Sequence, residues 1–198
     1  MAVISVSAPS LAQSDEQLLA RFANGDREAL EELFRRYRQL AYRVAFRLLG
    51  QEADALDAVQ DGFIKALTHL SGFRGKSSFK TWLLRVVSNA ALDLGRKRGR
   101  RETLSLDVAR ANGRGNEQPL ASANPAQGLE QADLRQLLDD ALASLPEAQR
   151  RTFVLHADGD LSYREVAEAM GISIGTVMSR LFYARQKLRA YLARRTQS

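Results

Sequence analysis

Three stretches of this 198-residue sequence concentrate side chains whose types and spacing suit recognition chemistry. The first opens with the small basic run Phe73-Arg74-Gly75-Lys76-Ser77-Ser78, continues at helical spacing through Trp82, Arg85, Asn89 and Arg96, and ends in Lys97-Arg98-Gly99-Arg100-Arg101. Cations neutralise phosphates, an amide bonds base edges and an aromatic ring stacks on an exposed base, so such a face suits single-stranded or distorted DNA. The plain alternative makes Trp82 a core residue and the arginines a solvated surface. The second stretch spans Glu52, Asp54, Asp57 and Asp61, with no Lys or Arg between Arg47 and Lys65. It should avoid DNA and suits a basic protein surface; its alternative is a helix face favoured by the N-terminal dipole. The third lies near the C-terminus, where no acidic residue follows Glu168 while Arg180, Arg185, Lys187, Arg189, Arg194 and Arg195 accumulate. One-sided charge of this kind is the footprint of duplex binding.

Composition narrows the chemistry further. Net charge is +6, from 29 Lys and Arg against 23 Asp and Glu, which favours a polyanionic partner without choosing nucleic acid over membrane. The absence of cysteine excludes a disulfide scaffold, a thiolate zinc site and a cysteine nucleophile. His69 and His156 lie far apart with no metal spacing. No Ser/His/Asp set or phosphate loop accompanies the carboxylates, so the sequence points to no catalytic residue, no metal and no cofactor. No apolar run nears the roughly 20 residues needed to span a bilayer. The opening MAVISVSAPSLAQ lacks a basic leader region and reads as a tail over residues 1–13 rather than a signal peptide, which makes the expected location cytoplasmic.

The elements that must position these residues are all helical. Ser14 and Gln17 resemble a capping box before Leu18, Leu19 and Phe22. From Asp26 to about Leu49, apolar residues recur at three- and four-residue steps, and Gly50 is a natural stop. Leu56, Val59, Phe63, Leu67 and Leu70 form the apolar stripe expected of a third helix, and Phe79, Leu83, Val86, Ala90 and Leu94 that of a fourth. Gly62, in mid-helix, costs about 1 kcal/mol relative to Ala and has no local reason. Residues 103–131 hold scattered Gly, Pro, Asn and Ser without periodicity and read as a flexible linker. Beyond it a helix over 133–143 precedes Leu145-Pro146, where the next helix can start. Ser162 and Glu165 fit a second capping box, Gly171-Ile172-Ser173 a turn, and a longer helix follows from about Ile174: the helix-turn-helix pattern. In that last helix Val177, Leu181, Ala184 and Leu188 should pack inward, while Ser179, Phe182, Tyr183 and Gln186 face out beside Met178, Arg180 and Arg185. The fold expected is therefore all-α: two small helical domains, 14–102 and 132–198, joined by a flexible linker, the C-terminal one a helix-turn-helix.

Taken together, DALDAVQDGFIKAL, FRGKSSFKTWLLRVVSNAALDLGRKRGR, LASLPEAQRRTFVL and LSYREVAEAMGISIGTVMSRLFYARQKLR resemble the sigma-70 family of RNA polymerase sigma factors, specifically its compact extracytoplasmic-function (ECF) group. The resemblance covers residues 14–195 apart from the linker. It implies a promoter-specificity subunit with no catalysis of its own, whose partners are core RNA polymerase and promoter DNA. Region two would dock the β′ clamp helices through Asp57, Gln60 and Asp61. Phe73, Ser78, Trp82, Arg85, Asn89 and Arg96 would open and hold the non-template strand of the −10 element, with a base flipped into a pocket at the loop. Region four would contact the β flap and read the −35 element through Thr176, Met178, Ser179, Arg180, Phe182, Tyr183 and Arg185. The linker would run through the RNA-exit path, region one and an ordered domain three would be missing, and an anti-sigma factor would hold the protein inactive.

Two departures from the family pattern bear on selectivity. Met178 stands where Lys or Arg is frequent and Tyr183 where Arg is frequent. Neither can make the bidentate guanine contact of an arginine, worth about 1–3 kcal/mol of discrimination, so the expectation is altered −35 selectivity with apolar contact to thymine methyls or sugars. Asp61-Gly62 also replaces a commoner acidic-plus-branched pair. The competing reading is a stand-alone helix-turn-helix regulator with a helical sensory or dimerising domain, which would bind duplex DNA without polymerase. The acidic face and the basic-aromatic helix argue against it, and an enzyme has least support.

Overall fold

In a computed structural model, residues 13–73, 75–111 and 129–196 are described, and every regular element among them is helical. The order is α1 (Asp15–Ala23), α2 (Arg27–Leu49), α3 (Glu52–Thr68), a 3-10 turn (Leu70–Gly72), α4 (Phe79–Ala111), α5 (Leu129–Ala143), α6 (Glu147–Ala157), α7 (Tyr163–Met170) and α8 (Ile174–Thr196). Helix starts and stops follow the local chemistry. Both capping boxes form, Ser14 with Gln17 and Ser162 with Glu165. Gly50 takes φ +73 after α2, and Gly171 takes φ +65 as the left-handed C-cap of α7. Pro146 is the N-cap of α6, one position before the helix proper.

Contacts divide the chain into two compact units, the first ending at Gln39 and the second starting at Leu40. In the first, the Tyr37 hydroxyl donates to Asp15, and Arg36 pairs with Asp15 at 3.3 Å. Burial together with the Asp15 carboxylate pushes the Tyr37 phenol well above its ordinary value. The second unit holds α3–α4 and α5–α8 together, because α4 packs on α7 as well as on α3. Most of the linker read in the sequence, 112–128, lies outside the described residues; α4 runs past residue 102 to Ala111, and α5 begins at Leu129. Inside the second unit, Ala141, Leu142 and Leu145 meet Ala184 and Leu188 of α8, with Leu138, Phe153 and Tyr191 at the edge.

Two stripes differ from the sequence reading. On α3 the buried face is Ala55, Ala58, Val59, Gly62 and Ala66, whereas Leu56 and Leu67, expected in the core, are 54% and 43% exposed. The reason is close approach: a Cβ on Gly62 would lie 2.9 Å from Val87 Cγ2, so only small side chains fit between α3 and α4. That contact also supplies the reason for Gly62 that its own helix lacks. On α4 the buried set is Phe79, Leu83, Leu84, Val87, Ala90, Ala91 and Leu92; Val86 and Leu94 are only partly covered. A second packed side, facing α7, widens the stripe beyond the single one that periodicity picks out.

Candidate nucleic-acid interface

Gly75 turns the chain before α4 at φ +65, and Ser78 accepts the Thr81 N–H at 3.1 Å, closing the first turn of that helix. Here the Ser78 hydroxyl is occupied as a cap, also pairing with Thr81 Oγ1 at 2.8 Å. Phe73, Phe79 and Trp82 form a three-ring cluster with centroids 5.3–6.1 Å apart, within the range for favourable aromatic pairs. Phe79 is buried, whereas Phe73 and Trp82 are half-covered. They border a cavity of about 290 Å³ whose walls include Lys76, Ser77, Thr81 and Arg85, closed on one side by Glu168 and Ala169 of α7.

Trp82, Arg85 and Asn89 follow one another along α4, with Arg85 and Asn89 exposed. Asn89 Oδ1 accepts from Arg151 Nη2 at 2.6 Å, and Arg96 pairs with Asp93 at 3.0 Å and Glu147 at 3.4 Å. The structure thus brings Phe73, Trp82 and Arg85 around one cavity, uses Ser78 to cap α4, sets Asn89 further along that helix, and leaves Arg96 in an ion-pair network. Lys76 and Thr81 are cavity residues that the sequence reading did not single out; their place in the basic loop and first turn was the available signal.

The acidic segment forms a separate surface. Asp57, Gln60 and Asp61 are exposed on α3, and Asp61 pairs with Lys65 at 2.7 Å. Ile64 (52% exposed) and Leu67 lie on the same helix three to seven residues on, so the face is both acidic and apolar. Leu67 was missed as a surface residue because its spacing also fits the core stripe, and Ile64 was not singled out at all.

At the helix-turn-helix, Ser173 Oγ accepts the Thr176 N–H at 3.1 Å and so caps α8. Val177, Leu181, Ala184 and Leu188 are buried. The opposite face carries Met178, Phe182 and Tyr183, each more than half exposed, with Phe182 and Tyr183 edge-to-face at 5.4 Å. Ser179 Oγ donates to the Thr176 carbonyl at 3.0 Å, and Arg180 is half-buried. Arg185 donates to the Tyr163 hydroxyl through both terminal nitrogens at 3.4 Å, bringing α7 into this face, which the sequence reading did not foresee. An exposed aromatic pair at the start of a capped, cationic helix has the shape and charge to enter a major groove.

Among the described residues no group of His, Asp or Glu could hold a metal ion, and no helix is long and apolar enough to cross a membrane.

Comparison with known proteins agrees with this geometry. Residues 33–101 match the family model for sigma-70 region 2, and residues 135–188 match that for sigma-70 region 4. The ECF RNA polymerase sigma-E factor of Escherichia coli (strain K12) is 35% identical over 177 residues, covering 88% of this chain and 92% of that protein. The ECF RNA polymerase sigma factor SigE of Mycolicibacterium smegmatis is 37% identical over 177 residues, covering 87% of this chain and 66% of that longer protein. Among solved structures, CnrH in complex with the cytosolic domain of CnrY aligns with TM-score 0.68 at 28% identity, covering 91% of this chain and 98% of that one. The sigma factor RpoE in complex with the anti-sigma factor NepR from Bartonella quintana aligns with TM-score 0.61 at 28% identity, covering 82% and 98%.

Proposed function

The chain belongs to the ECF group of sigma-70 family RNA polymerase sigma factors, and on that premise we propose how its surfaces divide the work of promoter recognition. The observation that carries the reading is the order along α4: an aromatic-walled cavity at Phe73 and Trp82, then Arg85, then Asn89. A −10 base turned out of the duplex stacks in the cavity, Arg85 and Lys76 neutralise the adjoining phosphates, and Asn89 bonds a neighbouring base edge. Stacking and charge neutralisation offset the unpairing cost, a few kcal/mol per base, so strand opening is driven by capture of the opened strand.

The mixed face of Asp57, Gln60, Asp61 and Ile64 docks the β′ clamp helices of core polymerase. Its carboxylates set orientation and association rate, and its exposed aliphatic side chains supply the buried area. The amino end of α8 enters the −35 major groove, with Met178, Phe182 and Tyr183 contacting thymine methyls or sugars and Arg180 and Arg185 the phosphates. Region four also meets the β flap. Residues 14–102 and 132–198 act as region two and region four, and the tether between them runs through the RNA-exit path. The protein contributes no catalytic group of its own and works in the cytoplasm with the polymerase. By analogy with the solved Bartonella quintana relative, an anti-sigma factor is its regulatory partner.

The test is titration of the labelled protein with bacterial core RNA polymerase, then run-off transcription from a promoter library. Tight binding with new start sites is the expected result, and the enriched sequences give the −10 and −35 preferences. Absence of core binding alongside salt-sensitive binding to bare duplex overturns it in favour of a stand-alone regulator.

A further inference from the structure

With no cysteine in the sequence, there is no thiol to oxidise, and the readily oxidised sulfurs are those of three methionines: Met1, Met170 and Met178. Met1 lies outside the described residues. Met170, at the end of α7, is partly covered, and its sulfur lies 3.3 Å from the hydroxyl of the buried Thr152. Met178, on α8, is 55% exposed. Oxidation of a thioether follows access to its sulfur, so the fold shields one of these sites and opens the other.

The surroundings of Met178 give that oxidation a consequence. Ile174, Met178 and Phe182 follow one another at four-residue spacing, each about half exposed or more, as an apolar stripe on the face of α8 assigned to the −35 groove. Met178 and Phe182 line an open cavity of about 600 Å³ together with Tyr163, Arg185, Gln186 and Arg189. A sulfoxide at position 178 replaces an apolar sulfur by a polar S=O group. Thymine methyls, sugars and phosphates donate no hydrogen bond to it, so docking buries an acceptor unpaired. Arg185, at the same cavity, donates to the Tyr163 hydroxyl at no closer than 3.4 Å, and its guanidinium is free to turn towards the new oxygen and away from a phosphate.

We propose that Met178 is a reversible oxidation site through which a peroxide, acting on the sigma factor itself, lowers −35 recognition. The proposal rests on the assignment of α8 to the −35 element. In the step, the sulfur lone pair attacks one peroxide oxygen, the S–O bond forms and the O–O bond breaks. The thioether gives up two electrons, the peroxide takes them, and water leaves. Methionine sulfoxide reductases return the thioether, which makes the change a switch rather than damage.

The experiment treats the full chain with hydrogen peroxide, removes the oxidant, and only then adds untreated core polymerase. Fragment-ion mass spectrometry follows the gain of one oxygen at each methionine; Met178 should react ahead of Met170. Holoenzyme built from the oxidised chain should bind a promoter from the run-off library about fivefold more weakly, the low end of the cost of one mismatched base pair. Methionine sulfoxide reductases should restore the affinity. Met178→Leu, measured against its own untreated affinity, should show no loss on oxidation, whereas Met170→Leu should keep the whole loss. Met178→Gln, polar without any oxidant, should bind as weakly as the oxidised parent. Oxidation of Met170 ahead of Met178, a sulfoxide at Met178 without weaker binding, or a loss that persists in Met178→Leu overturns the proposal. Phe182→Ala and Arg180→Ala separate this from failure of the −35 assignment. If they weaken promoter binding while the Met178 sulfoxide does not, the assignment stands and the switch falls; if they too leave binding unchanged, the assignment falls and takes the switch with it.

Discussion

A Cβ on Gly62 of α3 would stand 2.9 Å from Cγ2 and 3.0 Å from Cα of Val87 on α4. The two helices meet there at backbone range, and the surfaces assigned to polymerase and to DNA are carried on these two neighbouring helices. In an open helix Gly→Ala gains about 1 kcal/mol. Here overpacking against a backbone atom costs about 1–3 kcal/mol. Gly62→Ala is therefore expected to lower stability by about 1 kcal/mol, whereas Gly99→Ala on α4, where a Cβ meets nothing within 4 Å, should raise it by about 0.5–1 kcal/mol. Urea denaturation of the two variants against the parent checks both signs.

The α3 face predicts a separation of binding from stability. Asp57→Lys with Asp61→Lys should weaken association with core polymerase, mainly through the on-rate and most visibly at low salt. Ile64→Ser should weaken it through dissociation, by about tenfold, since truncating a central apolar contact costs about 1–2 kcal/mol. Because Ile64 is half-exposed, its loss should move folding stability by no more than about 0.5 kcal/mol. Surface-plasmon rates with immobilised core, beside melting curves, test this; unaltered rates in both variants would place the docking surface elsewhere.

Asn89→Ala is expected to impair strand opening while leaving polymerase binding intact. Potassium permanganate footprinting of unpaired thymines at −10 reads the first, and co-elution with core the second. Trp82→Ala should lose about 1–3 kcal/mol of strand affinity with its stacking platform. Normal opening in both variants would take these residues off the −10 surface.

For the −35 element, selection from a randomised upstream half-site should return A·T-rich sequences rather than a guanine-centred one. Replacing deoxythymidine by deoxyuridine removes only the methyl groups and should weaken holoenzyme binding. Met178→Arg with Tyr183→Arg should restore a guanine preference of about 1–3 kcal/mol. A guanine-rich consensus from the unaltered protein contradicts the assignment.

Glu165 gives a pH prediction. Burial raises its pKa, but the Ser162 N–H at 2.9 Å, the Ser162 hydroxyl at 2.7 Å and Thr81 at 3.1 Å outweigh that and hold it below the ordinary 4.5. A depressed carboxylate stabilises the fold fully above its unfolded pKa and loses that contribution as pH falls through the folded value. Glu165→Gln should thus be less stable than the parent at neutral pH, with the difference closing at an acidic pH below the ordinary carboxylate range. A gap of equal size at both pH values would assign the effect to packing.

Much of the molecule was legible before any coordinates. Both capping boxes, the Gly50 and Gly171 stops and the inward face of α8 depend on residues within a turn or two of each other, so local sequence suffices. The clustering of Phe73, Trp82 and Arg85 followed from helical spacing after a short loop, and the exposure of Phe182 and Tyr183 from the register of Val177 and Leu181.

What tertiary structure alone decided concerns pairs far apart in sequence. Leu56 and Leu67 fit an apolar stripe, yet they face outward because the Gly62–Val87 approach admits only small side chains between α3 and α4. The seat of Arg151 on Asn89, 62 residues away, had no periodic or motif signal at all. Periodicity reports which residues share a face of a helix; what that face meets, and how closely, is fixed only when the helices pack.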